Sequence, residues 1–263
     1  MTDSDIASDR HARLLAALLD HTVTPWRAGE FPPLAHWLLF PPDARQSLIG
    51  PDGHPARPAD GLPRRMWAGS RIRFLRPVRL GETVERQTTV VSEVDKTGKS
   101  GAMKFVTLSH LLSVNGRIAI EEEQSIVYRA AAAAGTPARP PVPDTVANVP
   151  AVARRLSIGP VELFRFSALT FNAHRIHYDR EYAQAKEGYP GLVVHGPYIA
   201  TLLMDHFMQH RPQCAVRAFS FKALRPIFDG DTFTLGLTED ADGADLVAID
   251  SSGGIATQAR IDL

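Results

Sequence analysis

The chain has 263 residues, 44% hydrophobic and 22% charged, with 29 acidic and 29 basic side chains. That length allows one large or two ordinary domains, and the charge balance excludes an electrostatic pull toward nucleic acid or membrane. A lone Cys214 excludes an internal disulfide, no apolar run nears the ~20 residues of a bilayer span, and the acidic start MTDSDIASDR is unlike a targeting peptide, so a soluble cytoplasmic protein is expected.

Arg10–His21, RHARLLAALLDH, carries apolar residues at helical spacing and predicts an opening helix. EFPPLAHWLLFPP, from Glu30 to Pro42, predicts a short apolar helix bracketed by prolines. IGPDGHPARPADGLPRRMWAG follows as a turn-rich, basic stretch. From Arg71 to Tyr128 the pattern is β, and KTGKSG and VNGR mark the turns of long antiparallel hairpins. AAAAGTPARPPVPDTVANVP has no periodicity and predicts an extended linker, so the chain divides into 1–130, a linker at 131–152, and 153–263. Phe164–Tyr182 concentrates polar side chains, Pro197–His210 predicts an apolar helix, and strands return from Ala218 to Asp240 and from Asp245 to Leu263.

Two segments repeat. FLRPVRLGET (Phe74–Thr83) and ALRPIFDGDT (Ala223–Thr232) share Leu-Arg-Pro, then a β-branched residue, then Gly-acid-Thr at the same spacing. Each follows a helix and precedes strands, so duplication is the reading: two halves, each a helix followed by an antiparallel sheet. Two such halves can pair their sheets as a homodimer does.

The second half holds the chemistry. TFNAHRIHYD (Thr170–Asp179) is followed by VVHGPYIATLL (Val193–Leu203). Phe171–His177, F-N-A-H-R-I-H, with His195-Gly196 ahead of an apolar helix, resembles the MaoC-like or hydratase-2 group and its G-D-x-N-P-x-H motif. The fuller wording, with PPLAHW, PDGHP and LPRRMWAGSRIRF in the first half, resembles the hydroxyacyl-thioester dehydratase type 2 branch, which includes the mesaconyl-CoA and itaconyl-CoA hydratases. The resemblance covers nearly the whole chain. It implies an α+β double hotdog, two helix-wrapped antiparallel sheets paired into one extended sheet. It implies a hydro-lyase acting on an α,β-unsaturated acyl-CoA, with coenzyme A entering as part of the substrate and no separate cofactor. A homodimer is expected. The motif departs from the family at Asn172, where an aspartate stands, and at His174 and Arg175, where Asn-Pro stands.

Hydrating an enoyl thioester needs a base for water, a proton for the α-carbon and a partner for charge on the thioester oxygen. His177 suits the base, because imidazole titrates near neutral pH. Asn172 cannot take a proton, but its amide can hold water or substrate. A single imidazole can then take a proton from water and return it on the same face. Gly196, at the helix start, offers a free N–H and the positive dipole end to an oxyanion. Asp179 reads first as an N-cap and second as an orienter of His177. His174 and His195 are placed at the substrate, each with a plainer role beside it: a hydrogen-bonded buried imidazole, and a fixed turn before the helix. His174, His177 and Asp179 have metal-like spacing, but HxxH recurs by chance and no metal is expected.

The first half reads as one that has lost its own site and shapes the acyl pocket. Trp37 and Trp67 are pocket or core residues. Arg64, Arg65, Arg71, Arg73, Arg76 and Arg79 fall within sixteen residues. They read as a solvated strand face, or as contacts for coenzyme A phosphates or a second substrate carboxylate; Arg175 is another candidate for the latter. The competing readings are a fatty-acid-type 3-hydroxyacyl-thioester dehydratase, a hotdog thioesterase, which Asn172 disfavours, and a non-catalytic acyl-CoA binder.

Overall fold

Asn115 and Gly116 both adopt positive φ and close a tight hairpin between Val114 and Arg117. In the computed structural model this hairpin is part of a ten-stranded antiparallel sheet. The structure describes residues 2–56, 61–98, 101–130, 143 and 145–263. In chain order these form β1 (Thr2–Ile6), α1 (Asp9–Leu18), β2 (Arg64–Phe74), β3 (Thr83–Gly98), β4 (Gly101–Val114), β5 (Arg117–Arg129), β6 (Val152–Ser157), α2 (Pro160–Thr170), α3 (Arg180–Ala185), α4 (Gly196–His210), β7 (Ala218–Ala223), β8 (Thr232–Glu239), β9 (Gly243–Ile249) and β10 (Ile255–Asp262). The strand order is β1-β3-β4-β5-β2-β7-β10-β9-β8-β6, so one half mirrors the other about the β2–β7 pair. This is the double hotdog that the family resemblance implies, with a long central helix in the second half.

The Leu-Arg-Pro repeat has a structural cause. Leu75 and Arg76 donate their N–H groups to the Ala119 carbonyl; Leu224 and Arg225 donate theirs to that of Ala256. Each arginine then reaches back to a hairpin turn, Arg76 to the carbonyls of Val114 and Arg117, and Arg225 to Asp250 and Ser252. Farther along, Phe31 N–H meets the Val78 carbonyl as Val194 N–H meets that of Ile227. The prolines leave these strand ends without a competing donor.

The halves differ in what covers them. α4 is buried along one face after another, with Tyr198, Leu203 and Phe207 at 1% exposure or less, and packs into one apolar core with α1, α2 and the sheet. At the matching place in the first half, the helix expected within Glu30–Pro42 is a single 3₁₀ turn, Ala35–Leu38. Pro32-Pro33 precede it, Leu34 and Phe40 take left-handed backbone, and Pro41-Pro42 follow, so no longer helix can propagate.

Three further departures have local causes. β2 begins at Arg64 rather than Arg71, because a bulge between Trp67 and Gly69 interrupts the alternation that identifies a strand. β1 was not anticipated: TDSDI is polar, and pairs as an edge strand with β3, where Asp3 meets Arg86 at 2.7 Å. Most of the expected linker, 131–142 and 144, lies outside the described residues; Ala147 within it donates to the Gly253 carbonyl. Among the described residues no helix is long and apolar enough to cross a membrane.

The halves meet where Gly69 of β2 faces Lys222 of β7, and a Cβ on Gly69 would stand 2.2 Å from the Phe221 carbonyl oxygen. Gly69→Ala must push β2 and β7 apart, and is expected to destabilise by about 1–3 kcal/mol, read as a lower midpoint in denaturant. An unchanged midpoint contradicts the close approach.

Candidate active site

α2 ends where Phe171 turns left-handed, with φ 49°. Asn172 then accepts the His174 N–H at 3.0 Å, a local turn that commits its carbonyl oxygen and leaves its NH2 for the cavity it lines. Arg175–His177 form one 3₁₀ turn. Asp179 accepts the Tyr182 N–H at 2.9 Å and so caps α3, as its position predicts; it also pairs with Arg175 at 2.7 Å, and does not orient His177.

His177 is held by backbone. Its Nδ1 lies 2.7 Å from the Val193 carbonyl oxygen, which can only accept, so Nδ1 carries the proton and Nε2 keeps its lone pair in the neutral ring. Val193 N–H in turn donates to the Ile176 carbonyl. The His195 ring stacks on His177 with centroids 3.6 Å apart, and His195 Nε2 meets Ser167 Oγ at 2.8 Å. Burial pushes the His177 pKa down to about 4, with the Val193 bond opposing and the charge of His54 adding. Burial and the neighbouring imidazoles lower His174 to about 2 and His195 well below the usual range. At neutral pH all three are uncharged. His177 retains 7% exposure against 1% for His195, and neither ring is among the residues that line the cavity bordered by Asn172.

Gly196 opens α4, whose first ladder bond runs from Ile199 N–H to the His195 carbonyl, so the Gly196 amide precedes the ladder. A Cβ on Gly196 would meet only the Trp67 carbonyl, at 3.6 Å. The protein itself thus tolerates a side chain there, and the open space serves whatever approaches the helix end.

A cavity of about 1000 Å³ fills the place where the first half lacks its long helix, at the upper end of ordinary small-molecule sites. Asn172, Arg175 and Pro197 line it from the second half of the chain, and Trp37, Trp67 and Arg65 from the first. The arginines now separate. Arg64 pairs with Glu187 at 2.7 Å and with Tyr189 Oη at 2.7 Å. Arg175 is held by Asp179, by the Pro51 carbonyl and over the Tyr182 ring. Arg71 and Arg73 lie on the exposed face toward Glu123 and Glu121. Arg65 faces the cavity and has no ion pair among the described residues.

Two groups escaped the sequence reading. His36, Arg86, His110 and Glu122 line the first-half end of the cavity, so that half is not simply an apolar wall. Glu122 is buried and accepts from His36 Nε2 at 3.2 Å and Trp37 Nε1 at 3.0 Å. Burial raises its pKa, but the His36 bond and its other partners outweigh that and keep it ionised. His36 Nδ1, Arg86 Nε and His110 Nε2 are buried without a hydrogen-bond partner among the described residues. Period-two parity held the signal: Glu122 and Gln124 share the inward face of β5 with Ile120 and Ile126. The second group is Asp52 and His54, in the PDGHP turn. Among the described residues, Asp52, His54 and His174 form the one cluster whose possible metal-ligand atoms all lie within 4.8 Å of one another. His174, His177 and Asp179 do not form one.

The sequence profile of the hydroxyacyl-thioester dehydratase type 2 family matches residues 34–229. The chain is 43% identical over 269 residues to the mesaconyl-C(4)-CoA hydratase of Chloroflexus aurantiacus, covering 99% of this chain and 94% of that one. Its fold superposes on HtdX of Mycobacterium tuberculosis with a TM-score of 0.71 at 20% identity, covering 100% of both chains. A second M. tuberculosis protein, described as having a double hotdog fold, gives a TM-score of 0.59 at 15% identity over 99% of this chain and 94% of its own.

The three neutral imidazoles set a stability test. Their folded pKa values lie below the 6.5 of an ordinary histidine, so below about pH 6.5 the unfolded chain binds more protons. Stability is therefore full above pH 6.5 and falls toward pH 4, by about 1.4 kcal/mol per pH unit for each group. Denaturation midpoints from pH 7 to 4.5 should show this, and His177→Gln should flatten the slope. An unchanged slope contradicts a neutral, buried His177.

Proposed function

This chain belongs to the hydroxyacyl-thioester dehydratase type 2 family and is a hydro-lyase, and we propose that it adds water reversibly to a branched C5 dicarboxylyl-CoA of the mesaconyl or itaconyl kind. The observation that carries the chemistry is the His177–Val193 bond, which leaves a neutral Nε2 ready to accept a proton. In this reading His177 takes a proton from water as oxygen attacks the β-carbon. The thioester oxygen gathers negative charge against the Gly196 N–H and the N-terminus of α4. Asn172 positions water or substrate through its NH2. His174 and Trp67 pack around the acyl group, and His195 keeps the His177 ring in place. Coenzyme A is the only cofactor-like group in this scheme, and it is part of the substrate.

The dicarboxylyl assignment is supported by the relative's name and by Arg65, the one predicted carboxylate contact that faces the cavity without an ion pair among the described residues. Arg64 and Arg175 act in this reading as framework, because their guanidinium groups are already engaged. A homodimer belongs to the same proposal, supported by Val90, Val91 and Val94, all at least 44% exposed along β3; a monomer in sedimentation contradicts it.

The test is loss of enoyl-thioester absorbance with mesaconyl-CoA, itaconyl-CoA and crotonyl-CoA. A C5 dicarboxylyl-CoA should turn over best, and His177→Ala should reduce kcat by about 10²–10⁴. Gly196→Ala should keep its melting temperature yet lose about tenfold or more in kcat/KM, because the methyl group crowds the carbonyl. Turnover of crotonyl-CoA alone points to the fatty-acyl dehydratase, and release of free thiol to a thioesterase.

A further inference from the structure

The turn Pro51-Asp52-Gly53-His54 comes from the first half yet is docked on the catalytic segment of the second. Arg175 N–H donates to the Asp52 carbonyl at 2.9 Å, and the Arg175 guanidinium to that of Pro51 at 3.0 Å. Gly53 has φ +94°, and a Cβ there would stand 1.8 Å from the Ala173 carbonyl oxygen. Only glycine lets the two backbones lie this close. The turn is closed by Gly50 N–H to the His54 carbonyl at 2.7 Å. The His54 ring lies against His174 with centroids 4.2 Å apart, and His174 lies 5.4 Å from His177. His54 also lines the cavity.

Within the turn, both Asp52 oxygens serve His54. Oδ1 accepts the His54 N–H at 3.1 Å, and Oδ2 faces His54 Nδ1 at 3.1 Å. The carboxylate is ionised, since burial raises its pKa but the His54 bonds outweigh that and lower it to about 2. A carboxylate only accepts, so His54 Nδ1 carries a proton, and Nε2 has no hydrogen bond among the described residues. This carboxylate–imidazole pair stands beside the segment in which the wider family places an aspartate and this chain has Asn172.

We propose that His54 is a second acid–base residue of the hydration and that Asp52 is its positioning residue. The inference rests on the hydratase reading above. Water gives a proton to His177 Nε2 as its oxygen bonds the β-carbon. The C=C π pair shifts toward the α-carbon and thioester oxygen, forming an enolate. That pair then takes the proton from Nε2 of the His54 imidazolium, whose charge Asp52 compensates. The proton gained by His177 returns to His54, with His174 between the two rings, so the sum is one water added and both imidazoles restored. His174 is the titratable neighbour that acts on Asp52, and His174 in turn feels His54, His177, Asp52 and Arg65. The same trio of ligand atoms could hold a cation, but both Asp52 oxygens already accept from His54, so a metal would have to break the pair.

The test uses the full chain and the C5 3-hydroxyacyl-CoA product in D₂O, scoring deuterium entry at the α-carbon and formation of enoyl-CoA. His54→Gln should lose both by about 10²–10⁴, with KM within threefold and an unchanged melting curve. His177→Gln should lose enoyl-CoA formation but retain α-deuteration. Asp52→Asn should lower kcat and displace the alkaline limb of the pH–rate profile, which a merely structural role would leave in place. Retained deuteration in folded His54→Gln, or activity lost to a chelator and restored by Zn²⁺, overturns the proposal. A wild type active in neither assay on any thioester of the panel overturns the hydratase reading with it.

Discussion

One long helix serves a ten-stranded sheet built for two. α4 fills the concave face of the second half with apolar side chains, and the first half has a single 3₁₀ turn in its place. The rest of the structure follows from that imbalance. The uncovered sheet face becomes a cavity, and its inward positions are free to carry polar groups that a packed helix would exclude. Arg86, His110 and Glu122 occupy such positions on three neighbouring strands. They would be costly beneath a helix, and next to a ligand cavity they are a set of oriented contacts.

The same imbalance divides the labour. In the proposed reading the second half keeps rigid elements: α2 to deliver Asn172, a short turn to present His177, and α4 to offer its N-terminus. The backbone of Val193 ties the last two together, accepting from His177 and donating to Ile176. Preorganisation here is mostly main chain, which moves less than side chains do and holds one imidazole tautomer. The first half contributes what main chain cannot, namely charge and shape, from Arg65, Trp67 and the docked turn at Pro51–His54. His21 and Asp205, 2.6 Å apart and largely buried, fasten α4 to the first half from the opposite end. The site is thus shared between the halves, and neither half alone assembles it.

Much of this was legible in the sequence, for reasons that are local. The Leu-Arg-Pro repeat marks two strand ends whose arginines reach back to hairpin turns, a short-range device that leaves a short-range signature. α4, the Asp179 cap and the His177 motif are likewise contiguous. What escaped depends on contacts between distant segments. The Pro-Asp-Gly-His turn reads as a loop until Ala173 and Arg175 are seen against it, and nothing within the turn announces that docking. Glu122 sits among Glu121 and Glu123, and only its parity with Ile120 distinguishes the buried carboxylate from its less buried neighbours. The start of β2 was hidden by a bulge, and the missing helix by two Pro-Pro pairs whose effect on Ala35–Leu38 outweighed its apolar composition.

The central claim is that the thioester binds with its carbonyl oxygen at the Gly196 N–H and its β-carbon at His177 Nε2. A crystal structure with a non-reacting thioether or amide analogue of the C5 dicarboxylyl-CoA tests it directly. The account predicts the carbonyl oxygen at roughly 2.7–3.1 Å from the Gly196 nitrogen, the β-carbon facing His177, and the free carboxylate within reach of Arg65. An acyl group seated elsewhere in the cavity, with Gly196 and His177 untouched, would contradict it.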